Sequence, residues 1–167
     1  MVSPSKNSVS QGIIMLKKLK VVALGLVTLS ITACQQTTDD AEIIEAARAG
    51  YAAFQQGDME AWAETQSSDV EWIAPKSLPY AGTYYGPQEV MDNVFAPILQ
   101  LWPDFRVTDV DYKSSGNTVF ITTKIFAGGA ESDSIHVATI EDGKYVKFQI
   151  YDDGGFMMQS ATTDEPQ

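Results

Sequence analysis

The chain has one histidine, His136, and one cysteine, Cys34. His136 is the only side chain whose unperturbed pKa, about 6.5, lies near neutrality, so it is the natural proton carrier. Asp152 and Asp153 stand together shortly downstream, before a Gly-Gly pair. Strand alternation places Tyr145, Lys147, Gln149, Tyr151 and Asp153 on one face and Val146, Phe148, Ile150 and Asp152 on the other. Only one of the two aspartates can therefore share a face with Tyr151. The alternation makes Asp153 the acid expected beside His136, while a bulge would shift the pairing by one residue and substitute Asp152. A His–carboxylate pair of this kind moves protons, the carboxylate orienting the imidazole. Tyr51, Trp72, Tyr84 and Tyr151 are the aromatics expected to line a pocket around it, each pairing an apolar ring with a polar handle. Each candidate also has a plainer reading: a packed strand histidine, core aromatics, and a solvated strand end at the aspartates. One His and one Cys leave little room for a protein-built zinc site, and neither metal nor cofactor is expected.

These residues must be held by a particular run of elements. Asp39 is expected to cap a first helix, with Glu42 at capping-box spacing. Ile43, Ala47, Gly50, Tyr51 and Phe54 recur at helical period up to Gly57. Asp58 caps a shorter helix with Met59 and Trp62, and residues 69–74 alternate as a strand. Residues 75–87, rich in Pro, Gly and Tyr, read as a loop. Residues 89–102 form an apolar helix that Pro97 should kink. Strands follow at about 105–112, 117–127, 131–140 and 144–151, with Gly128-Gly129 and Asp142-Gly143 as hairpin turns. Segregated helices and strands indicate an α+β domain: a cone-shaped, curved antiparallel sheet packed on about three N-terminal helices.

Charge divides the sequence at Cys34. There are 11 basic and 22 acidic residues, a formal charge of −11. Four lysines and no acids precede Cys34, which leaves seven basic against 22 acidic residues after it. That acidity excludes non-specific binding to nucleic acid, which needs a basic surface. Lys17-Lys18-Leu19-Lys20 and the apolar run 21–33 have the pattern of a secretory signal peptide and are too short for a membrane span. The segment Ile31-Thr32-Ala33-Cys34 resembles a bacterial lipobox, which implies cleavage before Cys34 and acylation of it. Either Met1 or Met15 serves as the start. The expected organisation is signal peptide 1–33, lipidated Cys34 and tether 34–39, domain 40–155, and C-terminal tail 156–167. The resemblance implies a lipid membrane partner and attachment in the cell envelope. In a two-membrane cell, Gln35 implies the outer membrane, facing the periplasm.

Three segments, YAAFQQGDMEAW (51–62), LPYAGTYYGPQEVMDNVF (78–95) and HVATIEDGKYVKFQIYDD (136–153), resemble the SnoaL-like branch of the nuclear transport factor 2-like superfamily. Ketosteroid isomerases and polyketide cyclases belong to it. The isomerase pattern implies a Tyr at Tyr51, a carboxylate base where this chain has Ala74, and a protonated Asp where it has Ile135. The cyclase pattern implies a His at His136 and an acid where this chain has Ile150. SnoaL-like relatives tend to carry an acid at Asp153. Neither known constellation is complete.

The first expectation is therefore a lipid-anchored domain binding a small apolar or aromatic molecule, with or without turnover. The second is an isomerase, cyclase or dehydratase using His136 and Asp153. The third is an envelope interaction module, with a homodimer through the outer sheet face left open. Labelling with an alkynyl fatty acid should mark the parent protein and not Cys34→Ala. Equal labelling of both would remove the lipid anchor.

Overall fold

The structure, a computed structural model, describes residues 39–159 and residue 161. The signal segment, Cys34 and the tether through residue 38 lie outside the described residues.

Helix α1 spans residues 39–56, with Asp39 already inside its first described turn. Its buried stripe includes Ala47 and Tyr51, as the periodicity requires. Gly57 ends it at φ 70°. The Gly57 amide donates to the Phe54 carbonyl and the Asp58 amide to that of Ala53, so the left-handed glycine closes the last turn. Asp58 then accepts from the Ala61 amide at 2.9 Å and caps α2, Met59–Glu64, which buries Trp62.

Six strands follow: β1 Gln66–Ala74, β2 Gly82–Tyr85, β3 Arg106–Ser115, β4 Thr118–Ala127, β5 Ala130–Glu141 and β6 Lys144–Tyr151. They form one sheet in the order β2-β1-β6-β5-β4-β3. Every neighbouring pair is antiparallel except β1 and β6, which run parallel. The sheet is therefore mixed rather than purely antiparallel. The first strand enters beside the last, and the intervening chain makes the long crossover that a parallel pair demands. Lys147 and Glu71, paired across this junction, form an ion pair of 2.8 Å. The hairpins at Gly128-Gly129 and Asp142-Gly143 place all four turn residues at positive φ, as two-residue turns between twisted strands require.

Besides the mixed sheet, three features differ from what the sequence predicts. The expected loop at 75–87 contains β2, whose Tyr84 pairs with Trp72 of β1. A strand of four residues is too short to outweigh the Pro and Gly around it in a local pattern. The helix expected at 89–102 is built in three pieces: α3 Gly86–Val90, a π-helical turn Met91–Phe95, and α4 Ala96–Leu101. Pro97 lacks an amide hydrogen and its ring crowds the carbonyl four residues back. The wider turn relieves this, the Ala96 amide reaching the Met91 carbonyl. Finally, residues 156–159 are not the start of a tail. They complete α5, Gly154–Gln159, whose Met157 is buried and whose carbonyl there accepts from Trp102 Nε1 at 3.0 Å.

Aromatic side chains form much of the core between helices and sheet. Trp62, Trp72 and Phe95 meet edge to face, with centroids 4.7–5.7 Å apart, and Phe54 joins them through Phe95. Tyr145 of β6 seats α1: its hydroxyl donates to the Ala47 carbonyl at 2.5 Å. A Cβ at Gly50 would lie 2.8 Å from its ring, so only glycine allows this approach. Gln55 adds a tie to β3, donating to the Asp109 carboxylate at 2.8 Å.

Candidate ligand-binding site

A cavity opens between the helices and the concave face of the sheet. Counted with the open solvent at its mouth, its space measures about 640 Å³, and its surface is mostly apolar. Trp72 and Phe148 supply a stacked pair, with centroids 4.0 Å apart and planes 24° apart. His136 stands edge-on to Phe148 from the other side, at 5.2 Å. Phe95, Ile98 and Val94 close the helical wall.

On β5, the buried positions Ser134, His136, Ala138 and Ile140 alternate with outward residues, so His136 faces the cone. Its Nδ1 lies 2.5 Å from the Tyr51 hydroxyl of α1. Burial holds the Tyr51 pKa well above its ordinary value, so the phenol keeps its proton. Burial alone pulls His136 down to about 3, so the imidazole is neutral at ordinary pH. Nδ1 is the one hydrogen-bond partner of the Tyr51 hydroxyl among the described residues. The hydroxyl therefore donates to Nδ1, since the opposite polarity would leave a buried O–H without an acceptor. The imidazole proton then sits on Nε2, a donor with no partner among the described residues.

The carboxylate that lines the cavity with His136 is Asp152, not Asp153. On β6, Tyr145 pairs with Ile140 and Lys147 with Thr139, which leaves Val146 as an extra residue. This bulge reverses the alternation: Tyr145, Phe148, Ile150 and Asp152 line the cavity. Asp153 lies on the surface and accepts from the amides of Gly155 and Phe156, at 3.1 and 3.2 Å, in the first turn of α5. Its position is that of a helix cap, and it cannot pair with His136. His136 faces Ile150 across the β5–β6 ladder, and Asp152 follows two residues along.

Tyr51 and Trp72 line the cavity with His136, while Tyr84 and Tyr151 do not. Tyr84 packs against the core beside β1 and donates to the Tyr80 carbonyl at 3.0 Å. Tyr151 is 55% exposed on the convex face, turned there by the same bulge that brought Asp152 in. Of the positions suggested by the isomerase pattern, Ala74 is a buried alanine and supplies no base. Ile135 is 47% exposed on the convex face, so the cone-facing residue at that point of β5 is His136. Gln66, at the start of β1, also lines the cavity. One polar residue just after a helix carries no sequence signal that it will be buried.

Four buried side-chain polar atoms among the described residues lack a hydrogen-bond partner: Gln66 Oε1, Trp72 Nε1, His136 Nε2 and Asp152 Oδ1. All four belong to residues that line this cavity. Unpaired buried polar atoms cost about 1–3 kcal/mol each. Their concentration here marks a surface arranged for something other than the fold.

Burial, joined by the charge of Asp153, raises the Asp152 carboxyl to about 6, with its own backbone amide opposing. A carboxyl with a raised folded pKa contributes stability at low pH, and that contribution is lost as pH rises from about 4 through 6. His136 acts in the opposite sense. Its depressed pKa favours the folded state above about 6.5, and this is lost as pH falls toward 3. The two largely offset each other between pH 4 and 6. Asp152→Asn should uncover the difference, gaining on the parent by about 1 kcal/mol between pH 4 and 7 after allowance for solvent screening of a partly exposed group. Urea unfolding of both proteins at both pH values measures this, and a difference independent of pH would contradict it.

An NTF2-like protein of unknown function from Burkholderia pseudomallei K96243 superposes with a TM-score of 0.64 at 24% identity, covering 73% of this chain and 98% of that one. TerC, co-crystallised with polyporic acid, gives 0.65 at 24% identity over 71% and 97%. A candidate SnoaL-like polyketide cyclase from Jannaschia sp. CCS1 gives 0.59 at 14% identity over 73% and 92%. At such identities the likeness establishes the fold alone. No curated protein matches the chain. Residues 47–148 match the SnoaL-like domain. With its six-stranded curved sheet and helices arranged as in NTF2-like proteins, the chain belongs to the SnoaL-like family.

Proposed function

We propose that the cone binds a small, mainly aromatic or apolar molecule, and that the domain does so on a lipid anchor at Cys34 in the cell envelope. The observation that carries the binding reading is the clustering of unpaired polar atoms. Four such atoms on the lining of one apolar cavity supply orientation and selectivity, while the aromatic walls supply burial. A fold neighbour co-crystallised with polyporic acid supports the reading. The anchor rests on the basic stretch, the apolar run and the lone cysteine after it.

A second reading, proton transfer, is favoured by one observation. Asp152, raised to about 6, and neutral His136 line the same cavity. No hydrogen bond joins them, so any relay would run through a substrate held between the two. Asp152 would take or return a proton near neutral pH, and His136 would hold a carbonyl oxygen through Nε2–H.

Native mass spectrometry of the protein extracted from its own cells tests the binding reading. A small-molecule adduct should be present on the parent and absent from Val94→Phe. Val94 is fully buried and lines the cavity, so a larger ring there fills the cone instead of the ligand. An adduct that persists in Val94→Phe would contradict a ligand in the cone.

A further inference from the structure

The chemistry of the unpaired atoms restricts what the cone can hold. Two are donors. Trp72 Nε1–H and His136 Nε2–H stand on either side of Phe148, one ring stacked on it and the other edge-on. Two are acceptors, Gln66 Oε1 and Asp152 Oδ1. An occupant that satisfies this set must carry both an acceptor and a donor.

The placement also orders these groups. His136 pairs with Ile150, and Asp152 lies two residues on, just past the end of β6, a backbone step of about 7 Å for extended chain.

Charge restricts the occupant further. The residues lining the cavity include neither lysine nor arginine, and Asp152 is the one carboxylate among them. Burial keeps His136 neutral, so it offers no compensating positive charge. An anion drawn into this apolar space would leave water, meet no cation and face a carboxylate. An O–H or N–H group would instead give Asp152 the hydrogen bond it lacks.

Resting on the reading of the cone as a small-molecule site, we propose that its ligand is an aromatic molecule without negative charge that presents an acceptor oxygen to His136 and Trp72 and a hydroxyl or amine hydrogen to Asp152. Carboxylates, sulfonates and phosphates of the same shape are excluded. Asp152 is then a specificity-determining residue, acting both as the acceptor for the ligand and as the charge that repels anions.

A matched series tests this: 2-acetonaphthone, its 6-hydroxy, 6-amino and 6-methoxy derivatives, and 6-hydroxy-2-naphthoate. Affinities are measured for the full chain in lipid nanodiscs, with Val94→Phe as the blank for partition into lipid. The hydroxy or the amino ketone should bind at least tenfold more tightly than the methoxy ketone, and which of them leads identifies the natural donor. The naphthoate should bind at least tenfold more weakly than the hydroxy ketone. Asp152→Ala should erase the preference over the methoxy ether. Asp152→Asn, which keeps the shape and removes the charge, should restore naphthoate binding. Equal affinities across the ketones, a naphthoate that matches the hydroxy ketone, or preferences that survive both substitutions would overturn the inference while leaving the cone as a binding site. If no member, 2-acetonaphthone included, binds more to the parent than to Val94→Phe, the binding reading itself falls and this inference with it.

Discussion

The hydrogen bond between Tyr51 and His136 couples the two layers of the domain at the floor of the cone. Tyr51 comes from α1 and His136 from β5, 85 residues apart in sequence. Each group is buried and polar, and each would cost stability without the other. Satisfying Tyr51 requires its hydroxyl to donate, which sets the histidine tautomer. The tautomer in turn makes Nε2 a donor without a partner among the described residues, on a ring that lines the cavity. One contact thus seats the helix, neutralises the histidine's ambiguity and defines part of the binding surface.

The other ties around α1 hold that contact in register. Tyr145 bonds the helix backbone at Ala47, and Gly50 lets its ring approach. Gln55 reaches β3. These contacts come from β6 and β3, on either side of β5, so α1 is fixed over the strand that carries His136. The aromatic cluster of Trp62, Trp72 and Phe95 joins the helical and sheet walls of the interior, and the unpaired Nε1 of Trp72 belongs to it. Stability is concentrated where pairing is complete. At Gln66, Trp72, His136 and Asp152, pairing is left open, which is the pattern expected where a fold gives up local optimisation for recognition.

Much of this was legible in the sequence because its signals are local. The capped helices, the two glycine-bearing hairpins and the alternation of β5 each depend on a few neighbouring residues. His136 and Tyr51 were readable as cone-facing for the same reason. The bulge at Val146 was not, because it depends on how β6 meets both β5 and β1, and no residue near it declares an extra position. That one residue exchanged Asp153 for Asp152 and turned Tyr151 outward. The parallel pairing of β1 with β6 is likewise a contact between chain segments some 70 residues apart, invisible to period and propensity. Gln66 and the short strand β2 were hidden by brevity, since neither extends far enough to establish a pattern. The helix α5 was hidden by its Gly-Gly start, which locally favours a turn.

Tyr51 donates to Nδ1 and leaves a neutral His136 with its proton on Nε2. Long-range nitrogen–proton NMR on nitrogen-15-labelled protein reports this directly, because the two ring nitrogens differ in shift and coupling according to which bears hydrogen. The chain contains one histidine, so the signal needs no separate assignment. The Nε2–H tautomer is expected at neutral pH, with no titration between pH 7 and 5. A proton on Nδ1, or a midpoint near the ordinary histidine value of about 6.5, would contradict it.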